Sequence, residues 1–512
     1  ALSESELAPY REQASRAVQS SFLAEDSEIS VLRSGSTARN TKHLVLYGQP
    51  TLPHAHGDKL GLWLGAFGVN QLAFGGHYPF IWIGPKIRQW ELHSASCNVV
   101  LVDGRNQAPS TSIQLEHYEG KWMQAAGMEN REVYPGSHYE RWVWLIQAPD
   151  GHNAYAVDRF LVSGGRRFDY NTHGLDVPLA QVQFEGIESW EPLQGTLAGE
   201  HIPLYGQPGY GWMQAIRKAK VSDTVSWTYP YGDSSLKITA LNGKERELFC
   251  CLGEKGGQEM KKSVWDTYVL LRDEQDDSSE HAASFVTVME PYEGAPFLQS
   301  IQPLVCVARQ HAGAFEPVGL CVTHLDGSRD VVIAVHRQGE IVSFRDEAGV
   351  LHTTDAQSLL IRYRGGRPEL VEAVGFTFIE SGEWSWERPQ SQWQGTVVSV
   401  DAELRQIEVQ FNGEAPELAE LRDAVGFVDG EGYKKPSPYY IREPRLEGKR
   451  LVFRTDITLF RGEEGWQGSE KARVQQGKQT VDVLGKRMLI DVRAGDRFTL
   501  RNRMIHSFQP TS

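Results

Sequence analysis

The 512-residue sequence lacks several features that would assign it to a common class of protein. It has no hydrophobic run of the roughly 20 residues that a membrane-spanning helix needs. It also has no Lys/Arg-rich tract, and its formal net charge is −14, so the attraction to phosphates on which nucleic-acid binding depends is missing. We therefore expect neither a membrane span nor a nucleic-acid partner.

Cysteine and catalytic signatures are equally sparse. The five cysteines include no CxxC pair, and two of them, Cys250 and Cys251, are adjacent, which argues against a dense disulfide framework. No GxSxG, Walker A, HExxH or Rossmann fingerprint is present. The chain begins at Ala1 without a basic, signal-like segment, so we expect a processed product or a fragment.

Short segments rich in Val, Ile, Tyr and Phe dominate the sequence, and they end in Gly, Asp or Asn turns. No βαβ alternation appears, so the strands are expected to be antiparallel. The prediction is a mainly β protein: a large stacked antiparallel β-sandwich (29–380) with a short N-terminal helix (1–28) and a smaller C-terminal β-domain (381–512). A second short helix is possible in "APELAELRDAV" (415–425).

The stretch "LPHAHGDKL" (52–60) places His54, His56 and Asp58 at alternate positions. On an extended segment these side chains would share one face, which suits a metal site or a catalytic histidine with a neighbour. A turn with satisfied polar side chains is about equally consistent with the spacing. A metal would need a third ligand, for which the candidates are His77, His93 and Cys97.

A second polar cluster follows the strand-like segment "AYAVDRFLVSGG". Arg166 and Arg167 lie near Tyr170 and His173. Guanidinium groups bind oxyanions through paired hydrogen bonds, so this cluster would suit a carboxylated or sulfated sugar. A hairpin with solvated arginines is the commoner alternative.

Four stretches, in order, resemble the C-terminal β-domain of the heparinase II/III-like family of polysaccharide lyases. They are "LPHAHGDKLGLWLGAFGVNQLAFGGHYP", "RQWELHSASCNVVLVDGRNQ", "YAVDRFLVSGGRRFDYNTHG" and "SFVTVMEPYEGAPFLQSIQPL". Together they cover roughly residues 29–304, and four motifs in order are far more specific than any one of them. The last 130 or so residues carry only a generic β pattern.

The resemblance implies stacked antiparallel sheets preceded by an α/α toroid, of which the N-terminal helix would be the last element. The toroid would then lie on a missing part of the chain or on a partner chain. The implied activity is β-elimination on anionic polysaccharides or oligosaccharides that contain uronic acid, such as glycosaminoglycans or alginate, by a periplasmic or secreted enzyme. The alternative is a non-catalytic glycan-binding or structural protein on the same scaffold. A metal-dependent hydrolase ranks lower, because no carboxylate pair accompanies the two histidines.

The resemblance also implies roles for single residues. His54 matches the cleft histidine and is predicted to be catalytic, while Tyr78, Arg88, Trp90 and Arg166 are predicted to bind substrate. The family's structural zinc would involve His56, with Cys97 at a histidine position and Phe74 at or near an aspartate position. Cysteine binds zinc and phenylalanine does not, so His77 is the substitute ligand, and an empty, repacked site is the alternative.

Overall fold

The computed structural model describes residues 20–24, 28–35, 37, 40–49, 56–72, 87–255, 264–275, 281–311, 313–401, 404–430, 435–456, 461–462, 471–476, 479–484 and 492–508. Over these residues the protein is mainly β, with antiparallel sheets, as predicted. No helix among them is long and apolar enough to cross a membrane. Most of the predicted N-terminal helix lies outside the described residues.

The first sheet has five strands in chain order: β1 (Phe22–Ala24), β2 (Ile29–Ser34), β3 (Lys42–Tyr47), β4 (Gly61–Ala66) and β5 (Val69–Leu72). The helix predicted for residues 1–28 does not extend to Phe22–Ala24, because these residues pair with β2 as an antiparallel strand. Leu23 is buried among residues of the C-terminal sheet, so tertiary contacts favour the strand there.

Fourteen strands then build two further sheets. They are β6 (Val100–Val102), β7 (Ile113–Glu119), β8 (Met123–Glu129), β9 (Tyr139–Gln147), β10 (Ala154–Ser163), β11 (Arg167–Gly174), β12 (Gln183–Glu185), β13 (Glu191–Pro192), β14 (Met213–Val221), β15 (Val225–Tyr231), β16 (Ser234–Ala240), β17 (Arg246–Lys255), β18 (Val264–Glu274) and β19 (Ala282–Glu293). The central sheet has the order β12-β15-β16-β19-β10-β9-β8-β7, and the outer sheet has the order β13-β14-β17-β18-β11-β6.

The central sheet is buried on both faces, which explains why β9 and β10 read as nearly continuous apolar runs. Side chains alternate along β9: Val143 and Leu145 join the core shared with the first and outer sheets. Trp142 and Trp144 join a second core on the opposite face. The same two-residue period places polar groups of these strands on defined faces.

A second sandwich covers that opposite face. Its strands are β20 (Leu298–Pro303), β21 (Val305–Arg309), β22 (Val318–His324), β23 (Arg329–Ala334), β24 (Val342–Arg345), β25 (Leu351–Thr354), β26 (Ser358–Arg364), β27 (Arg367–Val374), β28 (Phe378–Ser381) and β29 (Trp384–Glu387). One sheet has the order β20-β22-β23-β26-β27 and the other the order β21-β24-β25-β28-β29. The first of them packs on the central sheet, so the sheets stack in four layers.

The C-terminal residues form a separate core. Their strands are β30 (Gln392–Asp401), β31 (Gln406–Phe411), β32 (Val425–Asp429), β33 (Ser437–Tyr440), β34 (Arg442–Glu447), β35 (Arg450–Arg454), β36 (Arg461–Gly462), β37 (Lys471–Gln476), β38 (Gln479–Leu484), β39 (Arg497–Arg501) and β40 (Arg503–Ser507). Seven of them make the C-terminal sheet, β33-β32-β39-β30-β31-β35-β34; β36 to β38 pair with one another, and β40 joins β27.

Helical structure is limited to short turns in the described part of the chain. The second predicted helix is one turn, α1 (Leu418–Leu421). The others are a π-helical turn and three 3-10 turns: Ile87–Glu91, Ser94–Ser96, Leu179–Gln181 and Gly209–Trp212. Two of these turns lie within the second sequence motif and shape the candidate site.

Candidate functional site

The described half of the His-x-His-x-Asp motif forms a turn, the alternative that the sequence left open. The Gly61 N–H donates to the Asp58 carbonyl oxygen at 2.7 Å, and residues 56–60 belong to no strand, since β4 begins at Gly61. The His56 ring is fixed by a hydrogen bond of 2.7 Å from Nδ1 to the Glu91 carbonyl oxygen. The expectation of an extended segment therefore does not hold for residues 56–60.

Gly57 lets the first motif approach the second one closely. A Cβ atom at this position would lie 2.5 Å from Ser94 Oγ and 2.6 Å from Asn106 Oδ1. The Gly57 N–H donates to the Leu92 carbonyl oxygen at 3.0 Å. Only glycine leaves room for this contact, so the two motifs are tied together through backbone.

Gln107, the last residue of the second motif, holds the turn in place. The Lys59 N–H donates to Gln107 Oε1 at 2.7 Å, and Gln107 Nε2 donates to the Lys59 carbonyl oxygen at 3.0 Å. The same amide donates to the Tyr139 hydroxyl at 3.0 Å. These bonds fix the turn against strand β9 of the central sheet.

Asp58 carries a buried carboxyl group next to His56. Its residue is 1% exposed, and neither carboxylate oxygen has a hydrogen-bond partner. The Lys59 ammonium lies 3.5 Å away and compensates only partly. Burial raises the pKa of Asp58 to about 7, so this group exchanges a proton close to neutral pH.

His93 and Cys97 bracket the 3-10 turn of the second motif. His93 Nδ1 accepts from the Ala95 N–H at 3.1 Å, which caps the turn. Burial lowers the pKa of His93 to about 4, so the ring is neutral at physiological pH. The Cys97 thiol lies 3.6 Å from Ser96 Oγ, and burial and then the Asp58 charge raise its pKa.

Two asparagines join the second motif to the third. Asn98 Nδ2 donates to the Leu62 carbonyl oxygen at 3.2 Å, and its Oδ1 accepts from the His173 N–H at 2.9 Å. Asn171 Nδ2 donates to the carbonyl oxygens of Ala95 and Cys97, both at 2.9 Å. Three of the four sequence motifs therefore meet at one buried polar network.

A buried ion pair of the central sheet holds this network in place. Arg141 and Asp158 form two parallel hydrogen bonds of 2.8 and 2.6 Å between the central strands β9 and β10. The remaining Arg141 nitrogen, Nη1, donates to the carbonyl oxygens of Leu60 and Asn98, each at 2.8 Å. Tyr170 adds a hydrogen bond of 2.6 Å to Asp158. One guanidinium thus connects the first, second and third motifs.

The predicted site residues fall in very different places. His54, His77 and Tyr78 lie outside the described residues, as does Phe74. Arg88 belongs to the π-helical turn Ile87–Glu91, and its side chain is not described. Arg166 is exposed at the hairpin between β10 and β11, where its backbone N–H donates to Asp103 Oδ1 at 2.9 Å.

Trp90 requires a correction. Its side chain is completely buried, its indole N–H donates to the Glu254 carbonyl oxygen, and its ring stacks on Trp212 at a centroid distance of 6.5 Å. A substrate cannot contact a ring enclosed in this way. Trp90 is therefore a core residue of the second motif.

The described members of the predicted zinc set do not assemble a metal site. Within the part of the chain that the structure describes, neither His56 nor Cys97 belongs to a group of three close ligand atoms. A raised thiol pKa also disfavours the thiolate form that binds zinc. Because His77 lies outside the described residues, zinc at this position stays a prediction.

Sequence reasoning missed the residues that organise the network, above all Arg141 and Asp158. The available signal was a charge beside or within an apolar run: Arg141 directly precedes "WVWLI", and Asp158 lies inside "AYAVDRFLVSG". Charged residues are almost never fully buried unless they are paired, so opposite charges at such positions on neighbouring strands indicate an ion pair. The sequence does not say that these strands are neighbours.

Comparison with known proteins finds similarity in structure alone. No protein-family model and no curated protein matches the chain. Heparan sulfate lyase HepC from Pedobacter heparinus is similar with 16% identity and a TM-score of 0.41, over 61% of this chain and 42% of that one. A heparinase III gene product has 13% identity and a TM-score of 0.43, over 68% and 42%.

A further structure, described as heparinase III, has 12% identity and a TM-score of 0.43, over 61% of this chain and 42% of that one. The chain thus spans about two fifths of the length of these structures. The likeness is partial and concerns the β-rich scaffold. A likeness of this degree does not assign the activities of these proteins to this chain.

Proposed function

We propose that this chain is the β-sheet portion of a polysaccharide lyase that cleaves uronic-acid-containing glycans by β-elimination. The observation that carries the proposal is the meeting of three motifs at one network. Four stretches of sequence resemble one lyase family in order, and the residues that join three of them, Asn98, Gln107 and Asn171, come from the motifs themselves.

β-Elimination makes three chemical demands. The carboxylate of the uronic acid must be neutralised so that the neighbouring C5 proton becomes acidic. A base must remove this proton, and an acid must protonate the leaving glycosidic oxygen. The resemblance places part of this machinery on an α/α toroid, so the complete reaction needs residues beyond the described sheets.

His54 is the proposed contribution of this chain to the cleft. It lies two residues before His56, whose ring is fixed by the Glu91 carbonyl oxygen, and three residues before Gly57, which is held against the second motif. Its proposed role is proton transfer or contact with the substrate carboxylate.

The natural polypeptide that carries this sequence provides the test. It is incubated with heparan sulfate, other glycosaminoglycans and alginate, and the unsaturated product is followed by its near-ultraviolet absorbance. We expect product from at least one uronate polymer, and a rate that depends on pH near the ordinary histidine pKa of roughly 6 to 7. No product from any of them would contradict the lyase proposal.

The role of His54 is tested separately. His54→Ala should lower kcat/KM by roughly 10²–10⁴-fold, the usual contribution of a general acid or base. The matched control is His201→Ala, because His201 is exposed and lies outside all four motifs. If both variants keep the wild-type rate, the lyase proposal survives and the assignment of His54 does not.

A second candidate is a non-catalytic glycan-binding protein, and the burial of motif residues favours it. Trp90 and His93 serve packing and capping in the described structure. This candidate predicts that a uronate polymer binds in isothermal titration calorimetry without being cleaved. We propose a periplasmic or secreted location for either function, because uronate polymers are extracellular.

A further inference from the structure

A second group of polar residues lies on the opposite face of the central sheet from the motif network, at the rim between this sheet and the second sandwich. His138 directly precedes β9, and Glu140 follows two residues later on the same face. His336 comes two residues after the end of β23, on the second sandwich. Two histidines and a carboxylate from two different sheets thus converge at one point.

The three side chains have the geometry of a ligand set. His138 Nε2 lies 3.1 Å from Glu140 Oε2, and His336 Nδ1 lies 3.2 Å from Glu140 Oε1. All three ligand atoms lie within 4.8 Å of one another, and no other such group occurs among the described residues. Atoms bound tetrahedrally to one zinc ion at about 2.0–2.1 Å lie about 3.3 Å apart, which is close to these separations.

Both imidazoles face the Glu140 carboxylate. The facing nitrogens, Nε2 of His138 and Nδ1 of His336, are buried and lie 3.1 and 3.2 Å from its oxygens, although neither contact is aligned as a hydrogen bond. A cation bound between the three groups would replace these two poorly aligned contacts with three metal–ligand bonds.

The surroundings fix the three groups in place. The Trp142 indole N–H donates to Glu140 Oε1, which orients the carboxylate, as bonds from neighbouring groups commonly do around metal ligands. Phe315 packs against both imidazoles, with ring centroid distances of 4.8 Å to His138 and 5.6 Å to His336. The His138 and His336 side chains are 31% and 27% exposed, so the three groups lie close to the protein surface.

Arg159 carries a nearby positive charge that would repel a bound cation. It lies on the neighbouring strand β10 and faces the same side as Glu140. Its Nη2 donates to the Glu316 carbonyl oxygen rather than to Glu140. Glu340, which is paired with Arg309 at 2.6 Å, adds negative charge to the same region. The carboxylate of Glu140 therefore remains available to a metal.

We propose that His138, Glu140 and His336 bind a divalent transition-metal ion, with zinc as the best fit. Two imidazoles and one carboxylate with one open position form a ligand set that zinc uses in proteins, and calcium and magnesium prefer oxygen ligands alone. The ion would join β9 of the central sheet to the end of β23. It would thus link the two sandwiches at their rim.

The test titrates Zn²⁺ into the purified chain after removal of metals with a chelator, using isothermal titration calorimetry and thermal unfolding. We expect one ion per chain at this site and a rise in Tm on binding. Glu140→Gln, His138→Ala and His336→Ala should each weaken binding at least about tenfold and remove the Tm rise. Co²⁺ gives an independent readout, because its visible absorption reports tetrahedral nitrogen and oxygen ligands.

Controls separate this site from the zinc predicted at His56 and Cys97. His201→Ala, an exposed histidine, should bind zinc like the wild type, and so should His56→Ala at the proposed site. His336→Ala replaces a partly exposed side chain, so it serves if the buried Glu140→Gln variant does not fold. Unchanged zinc affinity in all three site variants, or loss in His56→Ala alone, would overturn the proposal.

Discussion

Arg141 and Asp158 lie on adjacent strands of the central sheet and bind each other through two hydrogen bonds of 2.8 and 2.6 Å. Both side chains are completely buried. The Arg141 Nη1 group also donates to the carbonyl oxygens of Leu60 and Asn98, and Asp158 also accepts from the Tyr170 hydroxyl. The pair therefore holds the loops that carry the motifs in fixed positions. A buried ion pair of this kind contributes more to the specificity of the fold than to its stability.

Removing one member of this pair should destabilise the fold strongly. We expect Arg141→Met or Asp158→Asn to lower the free energy of unfolding by about 3–5 kcal/mol, because each leaves a buried charge or its partners unpaired. The double variant Arg141→Met/Asp158→Leu should lower the free energy of unfolding by less than the sum of the two single substitutions, because it leaves no unpaired buried charge. Urea unfolding followed by tryptophan fluorescence measures all three.

The matched control is the surface pair of Arg131 and Glu129. Arg131 is 72% exposed, so Arg131→Met should change the free energy of unfolding by no more than about 1 kcal/mol. Equal losses of unfolding free energy in Arg131→Met and Arg141→Met would show that the buried pair contributes no more to stability than a surface pair.

Asp58 should make stability depend on pH. Burial raises its pKa to about 7 from 3.8, so the folded protein binds this proton more tightly than the unfolded chain does. This contribution is complete below about pH 4 and is lost as the pH rises through about 7. Asp58→Asn should therefore gain stability relative to the wild type between pH 5 and pH 7, by up to a few kcal/mol, at about 1.4 kcal/mol per pKa unit.

Unfolding free energies at pH 5, 6, 7 and 8 test this dependence. Asp233→Asn is the control, because Asp233 is exposed, and its difference from the wild type should stay constant. A parallel pH course for the wild type and Asp58→Asn would mean that Asp58 is already ionised at pH 5.

Gly57→Ala should disturb the junction of the first two motifs. The added Cβ would lie 2.5 Å from Ser94 Oγ, so a backbone or side-chain shift is required, at a cost of roughly 1–3 kcal/mol. Gly243→Ala is the control, since a Cβ there meets nothing within 4 Å. If the proposed function is correct, Gly57→Ala should also lower lyase activity, because it disturbs the junction of two motifs of the proposed site. Equal stability of the two variants would contradict the close approach.

Thiol chemistry should distinguish one cysteine from the other four. Cys306 is exposed on β21, while Cys97, Cys250, Cys251 and Cys321 are buried, and all five are free. Ellman's reagent should therefore label a single thiol in the folded protein and five after unfolding in urea. Cys306→Ser should abolish the fast reaction. Rapid labelling of a second thiol would show that a buried cysteine is accessible.

The strands could be predicted from sequence because their signals are local. "RWVWLIQA" and "AYAVDRFLVSG" combine aromatic and β-branched residues between turn residues, and they became β9 and β10. The short second helix was also confirmed, although only Leu418–Leu421 is helical. The strand at Phe22–Ala24 was missed, because its pairing with β2 outweighs the helical spacing of the preceding residues.

The site was less predictable, because distant residues decide its geometry. His56 is held by Glu91, and Lys59 by Gln107, so the turn at 56–60 depends on residues 35 to 48 positions away. Trp90 was predicted to bind substrate, yet it is buried in contact with Glu254 and Trp212. His138 and His336 are brought together only by the packing of two sandwiches.

The four-layer stack limits how this protein can be divided. One face of the central sheet presents Trp142, Trp144 and Tyr155, and the only cover that these rings have in the described structure is the second sandwich. A gene fusion, deletion or proteolytic cut that separated residues before 294 from those after it would uncover a broad aromatic surface, which promotes aggregation. The two sandwiches therefore form one folding unit, joined by a shared core.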